Sequence, residues 1–204
     1  MISFYDWLDQ RGVALFEVKT AVEAKEFKVN DANAQAMHSI FEKTYAASTG
    51  HAWDLHTFIY KSRPWTFYGI EPTEPNDSNA GFISVRYQER SDLFKLTGMA
   101  GNPRAALKGF ELLKQQGKPI WGGVSDQIAA MAARKGFHIV PDEVAKLVAP
   151  LIPGYAETDD GGAGAMVTGV GIVKKTLIVN DEYIDWAKKR YPQFAGQIES
   201  IRSS

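Results

Sequence analysis

Histidine and aspartate come closest together at His51, Asp54 and His56, within the segment HAWDLHTFIY. Imidazole titrates in the range where it can take a proton from a nucleophile, so His51 or His56 is a candidate base or substrate contact. The H-x-x-D-x-H spacing does not place two imidazoles on one helix face, as a helical metal site with ligands four apart would. The group therefore reads as an acid–base or binding cluster, or as a solvated helix start, and no metal is expected. His38 and His138 read as packing residues. A second candidate lies at Asn102-Pro103-Arg104-Ala105-Ala106. Asn102 suits an N-cap and Pro103 the first helical position. That leaves the backbone N–H groups of Arg104, Ala105 and Ala106 at the positive end of a helix dipole, an anion site if it faces a pocket. Ser125 stands just before an Ala-rich helical run, where its hydroxyl is placed to cap. Glu89 and Asp92 fall at a turn and read as solvated, and Asp159-Asp160-Gly161-Gly162 lacks the rest of a calcium loop.

These residues need a scaffold, and 204 residues suffice for one domain with a proper core. The expected arrangement is a single domain over 1–204, with its core at about 13–180 and a C-terminal helix over 181–204. Lys+Arg 23 against Asp+Glu 24 gives a net charge of -1, which offers no electrostatic footprint for nucleic acid or an anionic membrane. The chain has no cysteine, which removes disulfides, thiolate metal sites and a cysteine nucleophile. Asp6 and Asp9 interrupt the N-terminus where a secretory signal needs an apolar run, and no run approaches the roughly 20 apolar residues of a membrane span. A cytoplasmic location is expected by elimination.

Hydrophobic spacing orders the rest. A short helix is expected at Phe4 to Gly12 and a strand at Val13 to Lys19. A helix follows over Asp31 to Ala47, capped by Asn30 or Asp31, and another over Ala52 to Arg63, stopped by Pro64. Trp65 to Ile70 and Gly81 to Tyr87 read as strands joined across a Pro/Asn/Asp-rich loop, and Leu93 to Thr97 as a third strand bounded by Gly98. The helix from Pro103 ends near Gly117. Lys118 to Val124 is a strand whose Gly122-Gly123 pair marks a close backbone approach or a splay. Asp126 to Lys135 is a helix closed by Gly136, with Phe137 making the accompanying apolar contact. His138 to Val140 reads as a strand, Asp142 to Leu151 as a helix, Val167 to Val179 as a strand with a bend, and Glu182 to Tyr191 as the last helix. The result is an α/β (α+β mixed) chain with a strand meander in its first half.

That order, with GFISVR, the helix start after LFKLTG, and VSDQIAAMAARKGF, resembles the GNAT superfamily of acyl-CoA-dependent N-acetyltransferases. The resemblance covers roughly Val13 to Val140 and is best at Trp121 to Phe137. It implies a mixed, twisted sheet with flanking helices, here with a C-terminal helical extension, that splays between the strand at Leu93 and the strand at Ile120. In such a fold acetyl-CoA is the cosubstrate: its pantetheine arm lies in the splay and its pyrophosphate meets the following helix. The cofactor-binding set carried over is Gly98, Met99, Ala100, Arg104, Ala105, Ala106, Gly109 and Ser125, with backbone N–H groups of Gly98 to Ala100 as oxyanion donors. His51, Asp54 and Tyr68 would border the acceptor pocket, although Tyr68 and Trp65 also read as core. Ser125, which would contact the thioester arm if it is not a cap, and His56 are the catalytic candidates. Arg104 and Gly109 match the family's phosphate loop, whereas Leu107 replaces its first glycine. Ala132 stands where a thiolate-protonating tyrosine is common, and Ser125 where asparagine is common. The implied activity is N-acetyl transfer to a small-molecule or protein amine. The alternative is a catalytically inactive member that binds another protein, and a homodimer fits either. Short, divergent members with C-terminal additions are similar to ones carried by tailed bacteriophages.

Overall fold

The structure, a computed structural model, describes residues 23–49, 52–148, 165–168, 171–174 and 176–204. In chain order the elements are β1 (Lys25–Phe27), α1 (Ala34–Thr49), α2 (Leu55–Ser62), β2 (Trp65–Ile70), β3 (Gly81–Gln88), β4 (Leu93–Gly101), α3 (Pro103–Lys114), β5 (Ile120–Val124), α4 (Asp126–Ala133), β6 (His138–Ile139), α5 (Asp142–Val148), β7 (Ala165–Thr168), β8 (Gly171–Lys174), β9 (Thr176–Val179), α6 (Asp181–Arg190) and α7 (Ala195–Glu199). Among the described residues seven strands form one sheet in the order β1-β2-β3-β4-β5-β9-β6, and β7 and β8 form a separate hairpin. Neighbours in the sheet are antiparallel except β4 and β5, which are parallel. This is the mixed sheet with flanking helices and a C-terminal helical extension that the sequence led us to expect.

Most element ends follow local chemistry. The Asn30 side chain accepts from Ala32 and Asn33 N–H and opens the turn that leads into α1. Gly136 closes the turn after α4 at φ +77°, where only glycine is unstrained, and Phe137 N–H reaches back to the Ala132 carbonyl. Three expectations shift. The second helix begins at Leu55 rather than Ala52, because Asp54 is its N-cap, accepting from Thr57 N–H at 2.6 Å. The third strand does not stop at Thr97 but runs to Gly101. Gly98 pairs with Ser84 and Leu96 with Val85, so Thr97 is an extra residue at a bulge and Gly98 belongs to the strand. The stretch from Val167 to Val179 divides among β7, β8 and β9. The elements expected at Phe4 to Gly12 and Val13 to Lys19 lie outside the described residues.

One face of the sheet packs on α3 and α4 through Tyr68, Ile83, Leu96, Phe110, Phe137 and Ile178. The other face carries two separate clusters. Phe27, Met37, Phe41, Phe58, Phe67 and Phe82 join α1 and α2 to the first strands. Leu93, Trp121, Val179, Tyr183, Ile184 and Ile198 join α6 and α7 to β5 and β9. Burying a side chain of this size stabilises by about 1.5–3 kcal/mol, so the C-terminal helices are part of the core. Asn180, fully buried, locks that corner. Its Oδ1 accepts from Ile120 N–H at 2.8 Å and Tyr183 N–H at 3.0 Å, and its Nδ2 donates to the Lys118 carbonyl at 2.8 Å.

Candidate functional site

The parallel pairing of β4 with β5 is confined to Phe94 opposite Ile120 and Lys95 opposite Trp121. Beyond it, β4 continues to Gly101 on β3 alone, while β5 continues to Val124 on β9. From Leu96 onward the two strands diverge, and every second N–H and C=O along this edge of β4 points away from β3 with no strand among the described residues to meet it. Gly122 sits at the apex. A Cβ there would lie 2.6 Å from the Leu96 Cβ, so the close approach tolerates only glycine. The close approach and the splay that the Gly-Gly pair suggested therefore coincide.

At the bulge, Thr97 Oγ1 donates to Ser84 Oγ at 2.9 Å, and Ser84 Oγ donates to the Gly98 carbonyl at 3.3 Å. Ser84 is buried with its hydroxyl used in both directions, whereas the half-buried Thr97 hydroxyl keeps acceptor capacity. Met99 packs toward α3 and Ala100 toward α1. Gly98, Met99 and Ala100 lie on the stretch of β4 beyond its pairing with β5, where main-chain groups turn alternately toward β3 and away from it.

The start of α3 departs from expectation. Asn102 is the N-cap, but its Oδ1 accepts from Arg104 N–H at 2.9 Å and Ala105 N–H at 3.4 Å, while Ala106 N–H bonds the Asn102 carbonyl at 3.0 Å. The donors assigned to a phosphate are consumed by the cap itself. What faces outward is the side chain of Arg104, with Lys108 also exposed. Gly109 lies within the helix and is buried against the sheet; a Cβ would meet the Tyr68 carbonyl oxygen at 2.2 Å. Its smallness serves helix–sheet packing. Leu107 is partly buried against the α3 face of the core.

Ser125 follows β5 at the open end of the splay and caps α4, its Oγ accepting from Ile128 N–H at 3.4 Å. Ala132 is fully buried in the α3–α4 core. Tyr68 is 2% exposed on the α3 face, so it does not line an open pocket. Burial and the Glu26 carboxylate push its phenol up, which keeps it protonated. Asp54 is occupied as a cap, and hydrogen bonds from Thr57 hold its carboxyl below the usual range. His56 is exposed on the first turn of α2, and His51 lies outside the described residues. His38 Nε2 bonds the Trp53 carbonyl at 2.5 Å and His138 Nε2 meets Asp181 at 3.1 Å, so neither is purely a packing ring. Glu89 and Asp92 are exposed, and Asp92 pairs with Lys118 at 2.7 Å. Sequence reasoning passed over Ser84, although a serine on the inward-facing series Phe82, Ser84, Arg86 of an otherwise apolar strand was the available signal. Among the described residues no group of three or more His, Asp or Glu side chains is placed to hold a metal, and no helix is long and apolar enough to cross a membrane.

No protein-family model and no curated protein matches the chain. Among solved structures it is similar to N-acetylglutamate synthase from Neisseria gonorrhoeae, determined with coenzyme A and N-acetyl-glutamate, at 11% identity and TM-score 0.48 over 78% of this chain and 35% of that one. It is likewise similar to an aminoglycoside 6'-acetyltransferase type Ii, at 12% identity and TM-score 0.48 over 78% of this chain and 96% of that one.

Proposed function

We propose that the chain is an acyl-CoA-dependent N-acyltransferase that uses acetyl-CoA and transfers the acyl group to a small-molecule or protein amine. The observation that carries this reading is the splay, where the β4 main chain from Leu96 to Ala100 has no partner strand on this edge among the described residues and can take an extended, amide-bearing arm, the Gly101 N–H beyond it being held by Thr44 Oγ1 at 3.3 Å. Acetyl-CoA supplies the activated thioester. The chain supplies positioning: the β4 edge holds the arm, and N–H groups among Gly98 to Ala100 stabilise the oxyanion. The Thr97 hydroxyl accepts from the incoming amine. As the C–N bond forms and the C–S bond breaks, the amine's proton passes to solvent water at the open splay and the leaving thiolate takes one up. With Ala132 buried and Ser125 engaged as a cap, that second proton comes from solvent at the open end. The phosphates are met by the Arg104 and Lys108 side chains, since the α3 amides are already capped.

That cap and Ala132 also favour a second reading, a catalytically inactive member of the same fold that binds a protein partner. Calorimetric and thermal-shift titration with acetyl-CoA and desulfo-CoA separates the two. Ligand at 100 times its Kd stabilises the native state by about 2.7 kcal/mol. No shift at millimolar ligand, with the protein shown to be folded, refutes the enzyme. Where binding occurs, Arg104→Glu weakens it; unchanged affinity puts the phosphates elsewhere.

A further inference from the structure

The face of the sheet opposite α3 has a polar break between its two apolar clusters, and the break adjoins the bulge. On β3 the series Phe82, Ser84, Arg86 points to this face, and on β4 Thr97 and Lys95 do so. Arg86 stands directly opposite Lys95 on one side and Trp65 on the other. Two cations placed opposite one another across strands destabilise a sheet. Nothing in the described structure offsets this at Arg86, whose exposed side chain makes no hydrogen bond or ion pair among the described residues. Lys95 is half-buried, its ammonium 5.0 Å from the centre of the Trp121 ring, so the second cation is held at this spot rather than swung away. Half-buried Trp65 is the cross-strand neighbour of Arg86 on this face, beside the exposed guanidinium.

We infer that this break is the acceptor subsite and that it selects amines carrying a carboxylate or another anionic group, the anion on Arg86 and the nitrogen at the Thr97–Gly98 bulge. The inference rests on the acyltransferase reading above. Arg86 is two residues along β3 from Ser84, which hydrogen-bonds at the bulge, and two strand residues span roughly 7 Å. An acceptor of amino-acid size, or an acidic residue beside a peptide amine, bridges that interval with the arginine side chain adjusting its reach. Guanidinium fits carboxylate in a bidentate fork. A polyamine would meet repulsion here.

The test has two arms on the full chain. Acetyl-CoA binding is measured first by calorimetry. Thiol release is then followed with β-alanine, L-aspartate and L-glutamate, with the amides of their carboxyl groups, and with spermidine. The acidic amines are expected to react at a kcat/KM about tenfold or more above their amides, the size expected for a charge-assisted bond. Arg86→Gln raises KM for the acidic amines by that factor with kcat little changed and acetyl-CoA affinity intact, and Arg86→Lys restores part of it. Arg86 is exposed and outside the core, so the variants fold. Acetyl-CoA binding with amides or spermidine used as well as the acidic amines, or with no transfer to any acidic amine, overturns this inference and leaves the acyl-CoA reading standing. Absence of acetyl-CoA binding overturns both.

Discussion

Asn180 gives the sharpest quantitative test of how the site is held. It joins β9 to α6, yet its side chain bonds the Lys118 carbonyl and the Ile120 N–H, the segment that enters β5 just where β5 pairs with β4. It also caps α6 through Tyr183 N–H, and it is fully buried. Asn180→Ala leaves these three groups without a partner, the Ile120 and Tyr183 N–H groups fully buried and the Lys118 carbonyl partly so. Two buried backbone groups left unpaired cost about 1–3 kcal/mol each, and a lost N-cap about 1 kcal/mol. Allowing for partial relaxation, the sum is about 3–5 kcal/mol, a large share of the roughly 5–15 kcal/mol that holds a domain together. Asn180→Ser keeps a hydroxyl for the cap but is too short to reach Lys118 and Ile120, so it recovers about 1 kcal/mol. Urea unfolding followed by fluorescence and circular dichroism provides the comparison, with an unchanged m-value as the check on two-state behaviour. A loss below about 1 kcal/mol for Asn180→Ala, or a serine variant as stable as wild type, refutes the claim that this side chain ties β5 to the C-terminal helices.

Gly109→Ala improves helix propensity by about 1 kcal/mol but drives a methyl into the Tyr68 carbonyl, so a net loss of about 1–3 kcal/mol is expected by thermal unfolding; a gain would place the helix farther from the sheet. Ser125→Ala removes a long capping bond and is expected to cost at most about 1 kcal/mol with kcat unchanged. A fall in kcat at equal stability shows instead that the hydroxyl touches the reacting thioester. Arg202 binds Asp181, Asp185 and Glu199 at 3.0, 2.8 and 2.9 Å. Burial would raise the Asp181 carboxyl, but Arg202 and His138 outweigh it and hold it below its ordinary value of 3.8. Lys188 and Arg202 lower Glu199 from 4.5. A carboxyl depressed in the folded state contributes stability above its ordinary value and loses it as pH falls through the folded one. Arg202→Ala should therefore flatten the decline of stability below about pH 4.5 while lowering stability modestly at pH 7. An identical acid profile for the variant, by urea midpoints across pH, contradicts the assignment.

What the sequence alone determined was local. Alternation marked β2 and β3, the spacing of Ala106, Phe110 and Leu113 marked α3, and Asn102, Ser125 and Gly136 marked helix ends, because those signals lie within a few residues of the structure they specify. The order of these elements sufficed for the GNAT resemblance. Tertiary structure decided who meets whom. Asn102 was legible as a cap, but an anion site needs free donors, and the same oxygen that makes it a cap removes them. Gly109 looked like part of a phosphate loop until the Tyr68 carbonyl appeared beside it, and Tyr68 itself turned toward α3. The Thr97 bulge depends on registering β4 against β3, and the alignment of Arg86 with Lys95 depends on the same register. Asn180 reaches a strand 60 residues away in sequence. Periodicity is written along the chain, but register and burial are settled by residues far apart in it, and the candidate site is built almost wholly from register.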